Sequence, residues 1–168
     1  LGVDWIETPL PEELGNIPAL ARLRRQCNAL DMRQAGLEMS IGWQTLRPYC
    51  EGGAYDVVMP DMKYIGGIAE VQHTADACAA LNVQVSPHNP SGPICHAASL
   101  QVSATLGAFD MLELQFDESP LFDELVDAPF APIKDGHTVL PVGPGLGVSL
   151  NEEVLRRHAD RPEQEWLA

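Results

Sequence analysis

The apolar and polar positions of this chain change period along its length, and the changes predict alternating strands and helices. In the middle of the chain, a short apolar run over 56–59 precedes a helical pattern that starts at Ile68. A second short run, 83–85, follows the helical pattern. Two strands joined in this way are parallel, and their carboxyl ends lie at the same edge of a sheet. We therefore expect the residues that follow the two runs, Asp61 and His88, to share one rim.

The same patterns predict elements on either side of this unit. Further strands are predicted at 2–7, 32–37 and 110–114, and helices at 16–23, 43–51, 93–106 and 152–158. Pro48 lies inside the second of these helices and indicates a break or a late start, because proline lacks an amide hydrogen.

The C-terminal third has weaker periodic signals. Residues 119–132 are acidic and are interpreted as a loop, and Lys134–His137 has the composition of a hairpin turn. The glycine-rich residues 141–147 neither follow a βαβ strand nor open directly into a helix, so we interpret them as structural and not as phosphate-binding. The residues after Asp160 are expected to fray.

Composition narrows the classes of function. The chain has 168 residues, 45% hydrophobic and 20% charged, which is typical of one globular unit. Its net charge of −14 disfavours nucleic acid and anionic membranes as partners, because both need a basic surface. No apolar run approaches the ~20 residues of a membrane span, and the N-terminus lacks a signal-peptide pattern. We therefore expect a cytoplasmic protein, and the start at Leu1 within a strand-like run indicates a piece of a longer one.

The cysteines show no metal or disulfide pattern. They are widely spaced in apolar company and are interpreted as reduced core residues: Cys27, Cys50, Cys78 and Cys95. His96 follows Cys95 directly, but the pair lies in an alanine-rich helical pattern without further ligands and is not predicted to bind a metal.

A chemically reactive side chain stands at each of five predicted strand ends. These residues are Glu7, Glu38, Asp61, His88 and Glu113, with spacings of 31, 23, 27 and 25 residues. Such spacings fit repeated βα units, which build either a barrel or a doubly wound sheet. A barrel draws its catalytic residues from several strand ends, whereas an open sheet concentrates them at one switch point, so the pattern favours a barrel. A complete barrel has eight strands and more than ~200 residues, so this one is incomplete.

These residues also indicate a chemistry. Each acid alone is explained as a helix cap or a surface charge. Together, four carboxylates on one rim would repel one another, and a divalent cation relieves such repulsion; oxygen ligands indicate Mg²⁺. A carboxylate beside an imidazole is typical of a general base.

Five segments resemble, in order along the chain, signatures of the enolase superfamily. They are Trp5–Leu10, Gly36–Glu38, Val57–Gly67, Pro87–Pro93 and Gly143–Val148. The resemblance is to the mandelate racemase and sugar-acid dehydratase branch. It implies that residues 1–168 form the C-terminal part of a (β/α)7β barrel, about five βα units with a terminal hairpin and helix, and that a capping domain and three strands are absent.

The resemblance implies a role for each strand-end residue. Glu7 and Glu38 would bind Mg²⁺, Asp61 and His88 would form a catalytic dyad, and Glu113 would hydrogen-bond the substrate carboxylate. The muconate-lactonizing branch has a lysine in place of the dyad aspartate, which argues for the racemase-like branch. Another metal ligand and a second base, a lysine in this family, would come from the absent segment.

The activity that the resemblance implies is Mg²⁺-dependent removal of a proton next to a carboxylate. The favoured reaction is dehydration of a sugar acid, an aldonate or aldarate, to a 2-keto-3-deoxy acid. A racemase or epimerase of a 2-hydroxy acid is one alternative, and a catalytically inactive truncated fragment is another. The implied partner is a small carboxylate, and the full-length enzyme is expected to be a homo-oligomer.

Overall fold

The fold is a parallel α/β arrangement, in a computed structural model that describes residues 2–115 and 119–159. Four strands form one sheet in the order β1-β2-β3-β4, and every neighbouring pair is parallel. Their bounds are Trp5–Glu7 for β1, Arg33–Gly36 for β2, Val57–Val58 for β3 and Gln84–Val85 for β4. All four carboxyl ends therefore lie at one edge, as the sequence predicts.

Helices connect these strands and follow the last one. They are α1 (Ile17–Asn28), α2 (Trp43–Glu51), α3 (Met62–Ile65), α4 (Ile68–Ala80), α5 (Pro93–Ser103), α6 (Leu121–Glu124) and α7 (Glu152–His158), with a 3-10 turn at Leu14–Asn16 before α1. The single-turn helices α3 and α6 were not predicted, because four residues show no helical period. Of the helices in the described ranges, none combines the length and apolar character that a membrane span requires.

The predicted break of α2 at Pro48 is wrong. The helix runs through Pro48 and buries Leu46, Tyr49 and Cys50. Proline removes one amide donor to the preceding turn, but the apolar face packed into the core holds the helix together.

The fifth predicted strand, 110–114, has the wrong bounds. The chain contacts β4 through a single parallel bridge between Val85 and Phe109, and the amide of Asp110 donates to the Val85 carbonyl at 2.9 Å. The segment therefore lies in the position of a fifth strand, but beyond Asp110 it has no regular ladder. A strand needs a sustained row of pairing partners, and β4 itself ends at Val85.

The two faces of the sheet are covered unequally. Val58 belongs to a large buried cluster between the sheet and the helices, together with Leu20, Leu37, Leu46, Tyr55, Ile65, Val71 and Val85. Val57 points to the other face and joins only Ala35 and Met59, against which Trp5 packs. This second face is the one that would line the inside of a barrel.

The C-terminal segment confirms the predicted turn. Lys134 and His137 exchange backbone hydrogen bonds of 2.8 and 2.9 Å, and Asp135 and Gly136 both have positive φ, as in a type I′ turn. The predicted loop at 119–132 contains α6. The predicted fraying after Asp160 falls outside the described residues.

The glycine-rich segment and the cysteines have structural surroundings. Gln101 of α5 donates to the carbonyls of Pro141 and Leu146 at 2.8 and 3.3 Å and so fastens residues 141–147 to this helix. All four cysteines are free; Cys95 is half-buried and the other three are buried.

Candidate active site

The centre of the rim is a hydrogen-bonded pair of Asp61 and His88. Oδ2 of Asp61, which is fully buried, lies 2.9 Å from Nδ1 of His88. Because a carboxylate only accepts hydrogen bonds, Nδ1 carries the proton and Nε2 of the neutral ring has the free lone pair. The imidazole is 18% exposed, so Nε2 is accessible from the rim. This is the geometry of an oriented general base.

Asp61 also holds the local backbone. Its Oδ1 accepts the amide hydrogen of Lys63 at 2.7 Å and caps α3. The Lys63 ammonium lies 3.4 Å from Oδ2, the oxygen that bonds His88. Asp61 therefore caps α3 with one carboxylate oxygen and bonds the imidazole of His88 with the other.

Glu113 lies on the Nε2 side of His88. Its Oε2 is 3.9 Å from Nε2 and accepts the backbone amide hydrogen of Asn89 at 3.0 Å. The carboxylate is 38% exposed. It can therefore meet a ligand that also reaches His88.

Glu7 and Glu38 complete the rim. The Thr8 hydroxyl, one residue beyond Glu7, donates to Glu38 at 3.2 Å. Burial raises the pKa of Glu7, the negative charges of Glu38 and Glu113 raise it further, and His88 opposes them. All five residues that the sequence placed at strand ends are thus gathered at one edge, and this prediction is confirmed.

The two carboxylates of Glu7 and Glu38 fit a hard divalent cation. Both offer oxygen atoms, and their mutual repulsion is the kind that a cation relieves. They make an incomplete ligand set, because no cluster of three or more His, Cys, Asp or Glu suited to a metal occurs among residues 2–115 and 119–159.

Sequence reasoning missed Glu12, which supports this half of the rim. Its Oε1 accepts the amide hydrogen of Leu37 at 2.7 Å and the Tyr55 hydroxyl hydrogen at 2.8 Å. Burial raises the pKa of Glu12, and the two hydrogen bonds counteract that shift. Leu37 has a positive φ of 76° and directly precedes Glu38, so Glu12 fixes the turn that presents that carboxylate. A glycine inside a strand often marks such a close approach, and Gly36 was the available signal.

Sequence reasoning also missed Asn89 and gave His96 no role at the site. Both are buried, and the Asn89 amide connects the His96 ring to the backbone of Glu113. No pattern in the sequence predicts this link, because the three residues belong to different segments.

Parallel strands with acids and an imidazole at their carboxyl ends define a (β/α)-barrel type of site, built on part of such a barrel. Residues 1–154 match the family model described as enolase C-terminal domain-like. The chain therefore belongs to this family. The resemblance to the enolase superfamily is thereby confirmed.

Known proteins agree with this assignment. The chain is 34% identical over 161 residues to D-gluconate dehydratase of Thermoproteus tenax, covering 95% of this chain and 31% of that protein. It is 27% identical over 159 residues to D-xylonate dehydratase of Haloferax volcanii, covering 92% and 36%. A mandelate racemase/muconate lactonizing enzyme-like protein of Rubrobacter xylanophilus superposes with a TM-score of 0.80 at 31% identity, covering 95% and 39%. The chain thus spans about a third of the length of these curated relatives.

Proposed function

We propose that residues 1–168 are the C-terminal portion of an enolase-superfamily barrel, completed by a capping domain and three further strands. The complete enzyme dehydrates a sugar acid, an aldonate or aldarate, to a 2-keto-3-deoxy acid. The observation that carries this proposal is the 2.9 Å bond between Asp61 and His88, which leaves Nε2 facing the acidic rim. The names of the two dehydratase relatives favour dehydration over racemisation.

His88 carries the proton in this mechanism. Nε2 takes a proton from the carbon next to the substrate carboxylate. The imidazolium then donates this proton to the 3-hydroxyl, which leaves as water. The enol product then ketonises to the 2-keto-3-deoxy acid. Asp61 keeps Nδ1 protonated and stabilises the imidazolium between the two transfers. His88 is therefore neutral again at the end of the cycle.

Glu113 has a different binding role from Glu7 and Glu38. When a substrate binds, Glu113 in its carboxylic acid form donates a hydrogen bond to the substrate carboxylate. The 3.9 Å distance between its Oε2 and Nε2 of His88 keeps the reacting carbon within reach of His88. Glu7 and Glu38 would hold Mg²⁺ together with a ligand from the rest of the barrel. Bound there, the ion would supply positive charge that stabilises the negative charge formed on the substrate carboxylate.

The test uses the full-length protein with Mg²⁺ and a panel of aldonates and aldarates. Nuclear magnetic resonance in D₂O follows both formation of the 2-keto-3-deoxy acid and exchange of the hydrogen next to the carboxylate. Dehydration of at least one sugar acid is expected. Exchange or inversion without water loss would replace this proposal by a racemase or epimerase, and no reaction with any sugar acid would overturn it.

A further inference from the structure

We propose that Asn89 and His96 are a positioning pair that holds Glu113 against the His88 face of the rim. This inference rests on the proposed function only for the task of Glu113, which is to meet the substrate carboxylate. The inference explains how Glu113 is held in place, although it does not lie in a regular strand.

Asn89 holds Glu113 at two points. Its backbone amide donates to Oε2 of Glu113 at 3.0 Å, and its side-chain Nδ2 donates to the Glu113 backbone carbonyl at 2.9 Å. Asn89 is fully buried and directly follows His88. The base and the acid on its Nε2 side are therefore connected through one residue.

His96 fixes the orientation of the Asn89 amide. Nδ2 of Asn89 lies 2.7 Å from Nδ1 of His96. The Glu113 carbonyl only accepts hydrogen bonds, so the amide nitrogen must face it, and its second hydrogen points at Nδ1. Nδ1 is therefore an acceptor, and the ring proton lies on Nε2. Burial lowers the pKa of His96, which keeps the ring in this neutral form.

Aromatic side chains hold the His96 ring in place. Its centroid is 4.7 Å from that of Phe130, edge to face, and 5.5 Å from that of Phe122 in α6. His96 is only 4% exposed. A ring packed in this way keeps Nδ1 in one direction, so the amide that it binds is also held in one direction.

Glu113 needs such a support because its segment lacks a regular ladder. After the single bridge at Phe109, the described chain continues to residue 115 without strand structure. The Glu113 amide donates one long backbone hydrogen bond, of 3.4 Å, to the Pro87 carbonyl. The shorter bond of 2.9 Å to the Glu113 carbonyl comes from the Asn89 side chain and not from a neighbouring strand. Removing the acceptor on His96 should therefore release the amide and let Glu113 move away from the substrate carboxylate.

The experiment uses the full-length enzyme and three substitutions of His96. His96→Asn places an amide oxygen near the Nδ1 position and retains the acceptor. His96→Gln places its amide near the Nε2 position, and His96→Leu removes the acceptor at similar volume. Each is made in the native background and in Glu113→Ala. Affinity for the sugar acid is measured as KM or, where turnover is too slow, as Kd by calorimetry, with the melting temperature recorded throughout.

The expected result separates positioning from packing. His96→Leu and His96→Gln raise KM or Kd roughly ten-fold with a smaller change in kcat, as for the loss of one hydrogen bond to a binding group. His96→Asn restores most of the affinity, and all three lose their effect on affinity in Glu113→Ala. A loss of affinity that persists in Glu113→Ala, or native affinity in His96→Leu, would overturn the inference.

A second measurement needs no substrate. Nitrogen-15 resonances of the imidazoles identify the tautomer of each histidine, with His96→Asn used to assign the signal. An unprotonated Nδ1 that shifts in Asn89→Ala supports the pair, whereas a protonated Nδ1 at neutral pH rejects it. If the full-length protein neither binds nor converts a sugar acid, the proposed function fails, and this measurement still decides whether the pair exists.

Discussion

Individual atoms of the Asp61–His88 pair make different hydrogen bonds. Asp61 uses Oδ1 for the Lys63 amide and Oδ2 for the imidazole, while Nε2 of His88 stays accessible. In the proposed mechanism, the group that transfers the proton and the group that orients the imidazole are therefore different residues, and we expect their removal to reduce the rate by different amounts.

In the full-length enzyme, His88→Asn should abolish proton exchange and elimination, whereas Asp61→Asn should weaken both less severely. The first change removes a general acid–base group worth about 10²–10⁴ in rate. The second leaves a histidine that is less well oriented. Turnover on sugar acids is measured together with the melting temperature.

His73→Asn is the matched control, because His73 is an exposed histidine on α4 and not a rim residue. It should change neither rate nor stability. Full activity in a stably folded His88→Asn enzyme would contradict the assignment of the base. If both site variants instead lose stability before they lose activity, Asp61 is only a helix cap and His88 only a packed loop histidine.

At the scale of elements, the end of β2 depends on a close approach. A Cβ at Gly36 would lie 2.6 Å from Oε1 of Glu12 and 2.8 Å from the Tyr55 ring. Glycine at this position lets the Glu12 carboxylate reach the Leu37 amide. The strand end and the loop after β1 are thus joined immediately before Glu38.

Gly36→Ala should destabilise the protein by about 1–3 kcal/mol, because the added methyl overpacks a buried contact. The free energy of unfolding is measured by chemical denaturation of the full-length protein. Gly107→Ala is the control, since a Cβ there meets nothing within 4 Å. If the two substitutions change the free energy of unfolding equally, the close contact with Glu12 is not the reason that position 36 requires glycine.

At the scale of the whole molecule, the sheet is open. Its two ends are β1 and the segment beside β4. Among the residues that the structure describes, the face that carries Val57 has a small buried cluster. Large apolar side chains such as Ile41 (72% exposed) and Met39 (62%) lie at the surface. Parallel sheets are normally covered on both faces, so we expect further protein to cover the face that carries Val57.

The 168-residue chain by itself should therefore dimerise, aggregate or remain partly molten despite its charge of −14. Light scattering after gel filtration and a thermal melt test this prediction. The full-length protein is the control and should melt cooperatively. A monodisperse monomer of the 168 residues with a cooperative melt would show that its edges are protected.

The same chain should bind Mg²⁺ weakly. Glu7 and Glu38 supply two carboxylates, whereas the ion prefers six oxygens in octahedral geometry. Calorimetry should show tighter binding by the full-length enzyme, and Glu38→Gln should weaken it there. Tight stoichiometric binding by the 168 residues would run against this expectation.

The sequence by itself determined the order of βα units and the residues at their ends. Alternating periods are local properties, so the rim of Glu7, Glu38, Asp61, His88 and Glu113 followed from them and from the direction of parallel strands. The hairpin at Lys134–His137 was predicted for the same reason, because a two-residue turn depends on its own residues.

Only the tertiary structure decided the supports of that rim. Glu12 reaches Tyr55 across 43 residues, and Asn89 reaches Glu113 across 24. The continuity of α2 through Pro48 and the early end of the fifth strand also depend on packing and on available pairing partners. Such contacts leave no period in the sequence, because they join residues that become neighbours only when the chain folds.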